Sequence, residues 1–122
     1  MKNKNFLSSI KCALRGFKAA YKSEKNFKIY ILHIIVTLPI NIALKFSLIE
    51  MIIYAVILVG VFSAECFNTV AEKICDFLTI EKNEKIKVIK DIAAAGVMFW
   101  GFSFYIYEAG MVVLHVVSLC NR

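Results

Sequence analysis

Proline and glycine are scarce, one and five among 122 residues. That excludes a collagen-like repeat, a flexible linker and a disordered chain. The four cysteines, Cys12, Cys66, Cys75 and Cys120, form no C-x-x-C, and His33 and His115 form no H-E-x-x-H. No metal motif of either kind is present, and the cysteines read as free apolar thiols. Residues 1–28 are basic and hold no apolar core with a small-residue cleavage site, so no secretory signal is expected. Acids are few, nine against fifteen Lys and Arg, a formal net charge of +6. What the chain has in excess is apolar surface, 60% of its residues, against roughly 45–50% in soluble domains. In so apolar a chain the basic excess points to anionic lipid and membrane topology, not to nucleic acid.

The chain divides into a basic N-terminal segment, three apolar blocks and one charged loop. At 100° per residue from Phe6, Ile10, Ala13, Leu14, Phe17 and Tyr21 share an arc of roughly 100°. Lys11, Arg15, Lys18 and Lys22 lie opposite. This predicts an amphipathic surface helix over about 5–23. The apolar blocks predict spans over about 27–46, 48–78 and 92–119. Pro39 falls inside the first, where a transmembrane helix tolerates it with a kink. The expected fold is an all-α membrane protein, three transmembrane helices plus the surface helix, in one domain over 1–122.

The cations orient it. Residues 1–28 carry eight of the fifteen, and Lys73–Lys90 five more. With three spans these segments share a side, which the positive-inside rule makes cytoplasmic.

The acids within the apolar blocks carry the functional signal. Glu65, Asn68, Glu72 and Asp76 fall within about 80° on a helical wheel. Charge at membrane depth is expensive and by default functional. Glu50 marks the outer end of this helix, and Glu65 stands roughly 22 Å further in, near the inner interface. Glu72 and Asp76 then project toward the cytoplasm. Glu81, Glu84, Lys82, Lys85, Lys87, Lys90 and Asp91 follow in the loop, with Asp91 a candidate helix N-cap. Glu108, about 25 Å along from Asp91, and His115 are placed near the outer interface. Carboxylates with lysines are the parts of Mg²⁺-dependent phosphoryl transfer. No Walker A, kinase glycine loop or H-R-D accompanies them.

The run Ala64-Glu65-Cys66-Phe67-Asn68-Thr69-Val70-Ala71-Glu72-Lys73-Ile74-Cys75-Asp76, then Lys90-Asp91-Ile92-Ala93-Ala94-Ala95, resembles the prokaryotic diacylglycerol kinase and undecaprenol kinase family. Its pattern is E-x-x-N-[ST]-x-x-E-x-x-x-D, then K-D with small residues. Glu24-Lys25-Asn26-Phe27 matches the family's E-x-N-F and looks more like the undecaprenol-using branch. The resemblance covers nearly the whole chain. It implies an ATP- and Mg²⁺-dependent lipid kinase of the bacterial inner membrane, multi-pass, with N-terminus and active site cytoplasmic, and a homotrimer with shared sites. By position Glu65 is the general base, Glu24 and Glu72 the Mg²⁺ ligands, and Lys90 the phosphate contact. Asp91 and Glu81 lie against nucleotide, and Asn68 and Asp76 support the site.

Three positions depart from the family's pattern. Tyr30 stands where Glu or His is frequent, Asn5 where some members have a phosphate-binding Arg, and Cys12 where those members have an aromatic residue. Lys2, Lys4 and Lys11 are the alternative cations for phosphate. Undecaprenol is the expected acceptor, with diacylglycerol the alternative. A small proton-coupled exporter would need four spans and an acid at mid-bilayer. A non-catalytic membrane protein on the same fold is the remaining reading.

Overall fold

The computed structural model describes residues 5–78, 81 and 83–121. It contains four helices: α1 (Phe6–Ser23), α2 (Lys25–Ala43), α3 (Leu48–Leu78) and α4 (Glu84–Cys120). There is no strand among the described residues. The last three helices are each long and apolar enough to cross a membrane, so the chain is an all-α integral membrane protein.

Local chemistry sets each boundary. The Asn5 side chain accepts from the Ser8 backbone N–H and caps α1. Asn5 thus has a structural task as a helix cap. One extended residue, Glu24, closes α1 and opens α2, its N–H donating to the Ala20 carbonyl at 2.9 Å. α2 ends at Ala43, before the expected boundary at 46, because the chain turns at Lys45, whose φ is 59°. The Phe46 N–H reaches the Asn41 carbonyl at 3.0 Å and the Lys45 N–H reaches Ile42 at 3.1 Å. This is a Schellman closure with lysine in the position that usually holds glycine. Ser47 and Glu50 then cap α3 reciprocally, each side chain accepting from the other's backbone N–H.

α4 corrects one expectation. Asn83, not Asp91, is its N-cap, accepting from the N–H groups of Lys85 and Ile86. The helix therefore begins eight residues before the apolar block at 92, and Asp91 lies two turns inside it. Glu84, Lys85 and Lys87 make its first turns a charged extension, with Glu84 placed favourably at the positive end of the dipole.

Packing is concentrated in a narrow seam. Tyr30, Tyr54, Val61 and Phe104 are buried together, with Leu38, Ile57, Leu58, Phe62 and Tyr107 against them. Two glycines let the helices close. A Cβ on Gly60 would lie 2.4 Å from the Trp100 ring, and one on Gly101 would lie 2.6 Å from the Tyr30 hydroxyl. Tyr30 is thus a core residue that fits against Gly101. Near the α1–α2 junction Phe17 of α1 stacks edge-on against Phe27 and Phe62, at 5.2 and 5.8 Å between ring centres. That contact ties the surface helix to α2 and α3. Elsewhere the outer faces of all three long helices are apolar and exposed in the single chain, Phe67 and Phe77 among them.

Candidate active site

The polar stripe on α3 is continuous and graded. Glu65 is fully buried and Asn68 nearly so, Glu72 is half-buried and Asp76 is exposed. Helical spacing of three and four residues makes them neighbours. Asn68 donates to Glu72 at 3.3 Å, and the Thr69 hydroxyl returns to the Glu65 carbonyl at 2.8 Å. The stripe therefore passes from a dry, enclosed carboxyl group to a solvated one over three turns.

Glu65 is the least satisfied group in this stripe. Neither carboxyl oxygen has a hydrogen-bond partner, although both are buried. Asn26, two residues into α2, lies alongside it, outside strict hydrogen-bond geometry. Glu24 and Glu72 stand within electrostatic reach of the same carboxyl. Three acids from α3 and from the α1–α2 junction thus converge. An unpaired buried carboxyl costs several kcal/mol in principle, roughly 1–3 or more for a hydrogen-bonding group left unmade. Such a group is where a ligand donor belongs.

Lys90 stands apart from Glu65 and faces Asp76, its Nζ 2.5 Å from Oδ1. The pair joins the C-terminal part of α3 to the N-terminal part of α4. Both partners are solvent-accessible, so the contact is weak and can open toward an anion. Asp91 and Glu81 are exposed on the same side of the bundle. The alternative cations divide: Lys11 is exposed on α1, while Lys2 and Lys4 lie outside the described residues, as does Lys82. Cys12 receives a contact from Arg15 at 3.0 Å.

No three His, Cys, Asp or Glu side chains form a ready-made cage among the described residues. Mg²⁺ does not require one, since it is commonly held by one or two carboxylates plus phosphate oxygens and water. Glu24 and Glu72 supply hard oxygen and excess negative charge beside the unsatisfied Glu65, so these residues fit the ion.

Between α3 and α4 runs an apolar groove of about 810 Å³, lined by Val59, Gly60, Phe67, Gly96 and Trp100 and reaching Asn68. A mostly apolar trough with two polar side chains, Ser63 and Asn68, suits a molecule with a long apolar body and one polar end. The sequence contains the small residues that open it, Gly60, Ala64, Ala93 and Gly96, but their meeting across two helices is a property of the fold.

Residues 11–114 match the model of the prokaryotic diacylglycerol kinase family. The chain is 30% identical over 92 residues to the undecaprenol kinase of Bacillus subtilis (strain 168), covering 75% of either protein. No solved structure matches. A family match that takes in both Glu24 and the whole of α3, together with a curated lipid kinase as a relative, settles membership: the chain belongs to the prokaryotic diacylglycerol kinase family and is a membrane-embedded lipid kinase.

Proposed function

We propose that the protein transfers the γ-phosphoryl group of ATP to the hydroxyl of undecaprenol at the cytoplasmic face of a bacterial inner membrane. The observation that carries this reading is the buried, unsatisfied Glu65 carboxyl at the apolar end of a stripe that opens into solvent. A lipid hydroxyl reaches the boundary from one side and a nucleotide from the other. Glu65 takes the hydroxyl proton as the lipid oxygen attacks the γ-phosphorus. The bond from that phosphorus to the bridging oxygen breaks, and ADP leaves. Glu24 and Glu72 would hold Mg²⁺, which when bound supplies positive charge against the phosphates. Lys90, released from Asp76, contacts the phosphates, while Asp91 and Glu81 lie against the nucleotide. Asn68 holds Glu72 and borders the acceptor's groove. Exclusion of water around Glu65 favours the lipid over water as acceptor.

The similarity to the Bacillus subtilis undecaprenol kinase supports undecaprenol, as does the Glu24-Lys25-Asn26-Phe27 run. Diacylglycerol is the second reading, supported by the family's own description. A groove that contacts mainly apolar surface discriminates poorly between chains. The homotrimer remains part of the proposal, supported by the exposed apolar faces of all three spans, and the mass of the detergent-solubilised protein tests it. For the acceptor, purified protein is given labelled ATP with undecaprenol or diacylglycerol separately. Faster labelling of undecaprenol is expected. Preference for diacylglycerol would reassign the substrate, and labelling of neither would end the kinase mechanism.

A further inference from the structure

A second buried acid lies at the far end of the bundle and has no part in the chemistry above. Glu108 on α4 is about 8% exposed, and Asn41 on α2 is fully buried. The Asn41 amide donates from Nδ2 to Glu108 Oε2 at 3.2 Å. The other two atoms of the pair, Asn41 Oδ1 and Glu108 Oε1, are both buried without a hydrogen bond. Both are acceptors if Glu108 is ionised, and they then face a dry interior with no donor.

A proton on Oε1 removes the difficulty. The Oε1–H then donates to Oδ1, and the two side chains close a ring with one hydrogen bond in each direction. The surroundings favour that state. The groups facing Glu108 are Tyr54 of α3 and its own neighbour Tyr107. The Tyr54 hydroxyl is engaged with Thr37 at 2.7 Å, and that of Tyr107 donates to the Glu50 carbonyl at 2.6 Å. The other ionisable side chains at this end are Glu50 and His115, which pair with each other at 3.3 Å while Glu50 also accepts from the Ser47 N–H, and the exposed Lys45 of the α2–α3 turn, which makes no ion pair with Glu108. No cation is paired with Glu108 among the described residues. An ionised carboxylate left unpaired in an apolar span is strongly disfavoured.

We infer that Glu108 is a neutral carboxylic acid, paired at two points with Asn41, and that this clasp fixes the outer end of α2 to α4. Asn41 also supplies the carbonyl that closes the α2 Schellman turn, so the clasp holds the helix at its terminus. α2 begins at the Glu24 junction and α4 carries Lys90 and Asp91. Asn41 and Glu108 are therefore positioning residues: they touch no substrate and set how two site-bearing helices lie together. The inference does not depend on which lipid is phosphorylated.

Glu108→Gln tests it, because an amide reproduces a neutral acid's one donor and one acceptor toward Asn41. In lipid vesicles at neutral pH, the full-length protein is expected to show the infrared carbonyl band of a protonated carboxyl group that E108Q lacks. E108Q should keep its thermal midpoint and turnover within about twofold, as expected of one neutral interhelical pair replaced by another. Glu108→Leu and Asn41→Leu should each lower the thermal midpoint, since each leaves a buried polar partner alone. Loss of a carboxylate band instead, or an E108Q protein as damaged as E108L or unable to fold, would overturn the inference.

Discussion

Glu65 and Glu108 are both buried acids without full hydrogen bonding, yet their neighbours differ. Glu108 has a complementary amide, that of Asn41, hydrogen-bonded to it. Glu65 has Glu24 and Glu72 within reach and only Asn26 alongside, so it is arranged to receive a donor that the chain does not supply. That contrast separates a structural acid from a reactive one. Glu65→Gln is expected to lower kcat by about 10²–10⁴-fold, the usual contribution of a positioned base. Its thermal midpoint should stay close to the parent's because no hydrogen bond to the carboxyl is lost. Unchanged turnover in a steady-state assay would remove Glu65 from the base role. Lys90→Ala should mainly raise the KM for ATP, with little loss of stability, because its partner Asp76 is solvated. A stability loss with unaltered KM would make the lysine a structural strut. The α3 stripe was legible in the sequence because helix periodicity alone places 65, 68, 72 and 76 on one face. The Asn41–Glu108 pair was not, since 67 residues separate its members and only the fold brings them together.

At the scale of elements, caps and close approaches decide the geometry. The three spans and the surface helix are readable from long apolar runs and a basic face. Their ends were not, because capping turns on individual side chains: Asn83 starts α4 and Ser47 with Glu50 starts α3. The S-x-x-E spacing of Ser47 and Glu50 was an available signal. Lys45 at φ 59° was not foreseeable from a lysine. Lys45→Gly is expected to raise stability by about 1 kcal/mol or less, by relieving the Cβ at a left-handed position. A lower thermal midpoint would show that the lysine makes a compensating contact. Gly60→Ala should destabilise by about 1–3 kcal/mol, the range for overpacking, since its Cβ would strike the Trp100 ring. Gly16→Ala, with open space around it, should be neutral or stabilising in the same denaturation assay. Equal effects of the two would contradict the tight α3–α4 seam.

For the whole molecule, the proposed reaction requires one end of the three-helix bundle to serve two phases. The basic N-terminal segment, the Glu65 stripe and the start of α4 lie together at that end, while Glu50, Glu108 and His115 gather at the other. Cation counting assigns the first end to the cytoplasm. With Cys12, Cys66 and Cys75 replaced, the exposed Cys120 is expected to react with a membrane-impermeant thiol reagent applied outside intact cells. Protection there, with reaction only after lysis, would reverse the topology. Sidedness and chemistry are tested together in sealed membrane vesicles of known orientation, supplied with undecaprenol and with labelled ATP from the outer solution. The account predicts labelled lipid from inside-out vesicles carrying the parent protein, and none from right-side-out vesicles or from E65Q. Labelled lipid from right-side-out vesicles, or undiminished labelling by E65Q, would contradict it.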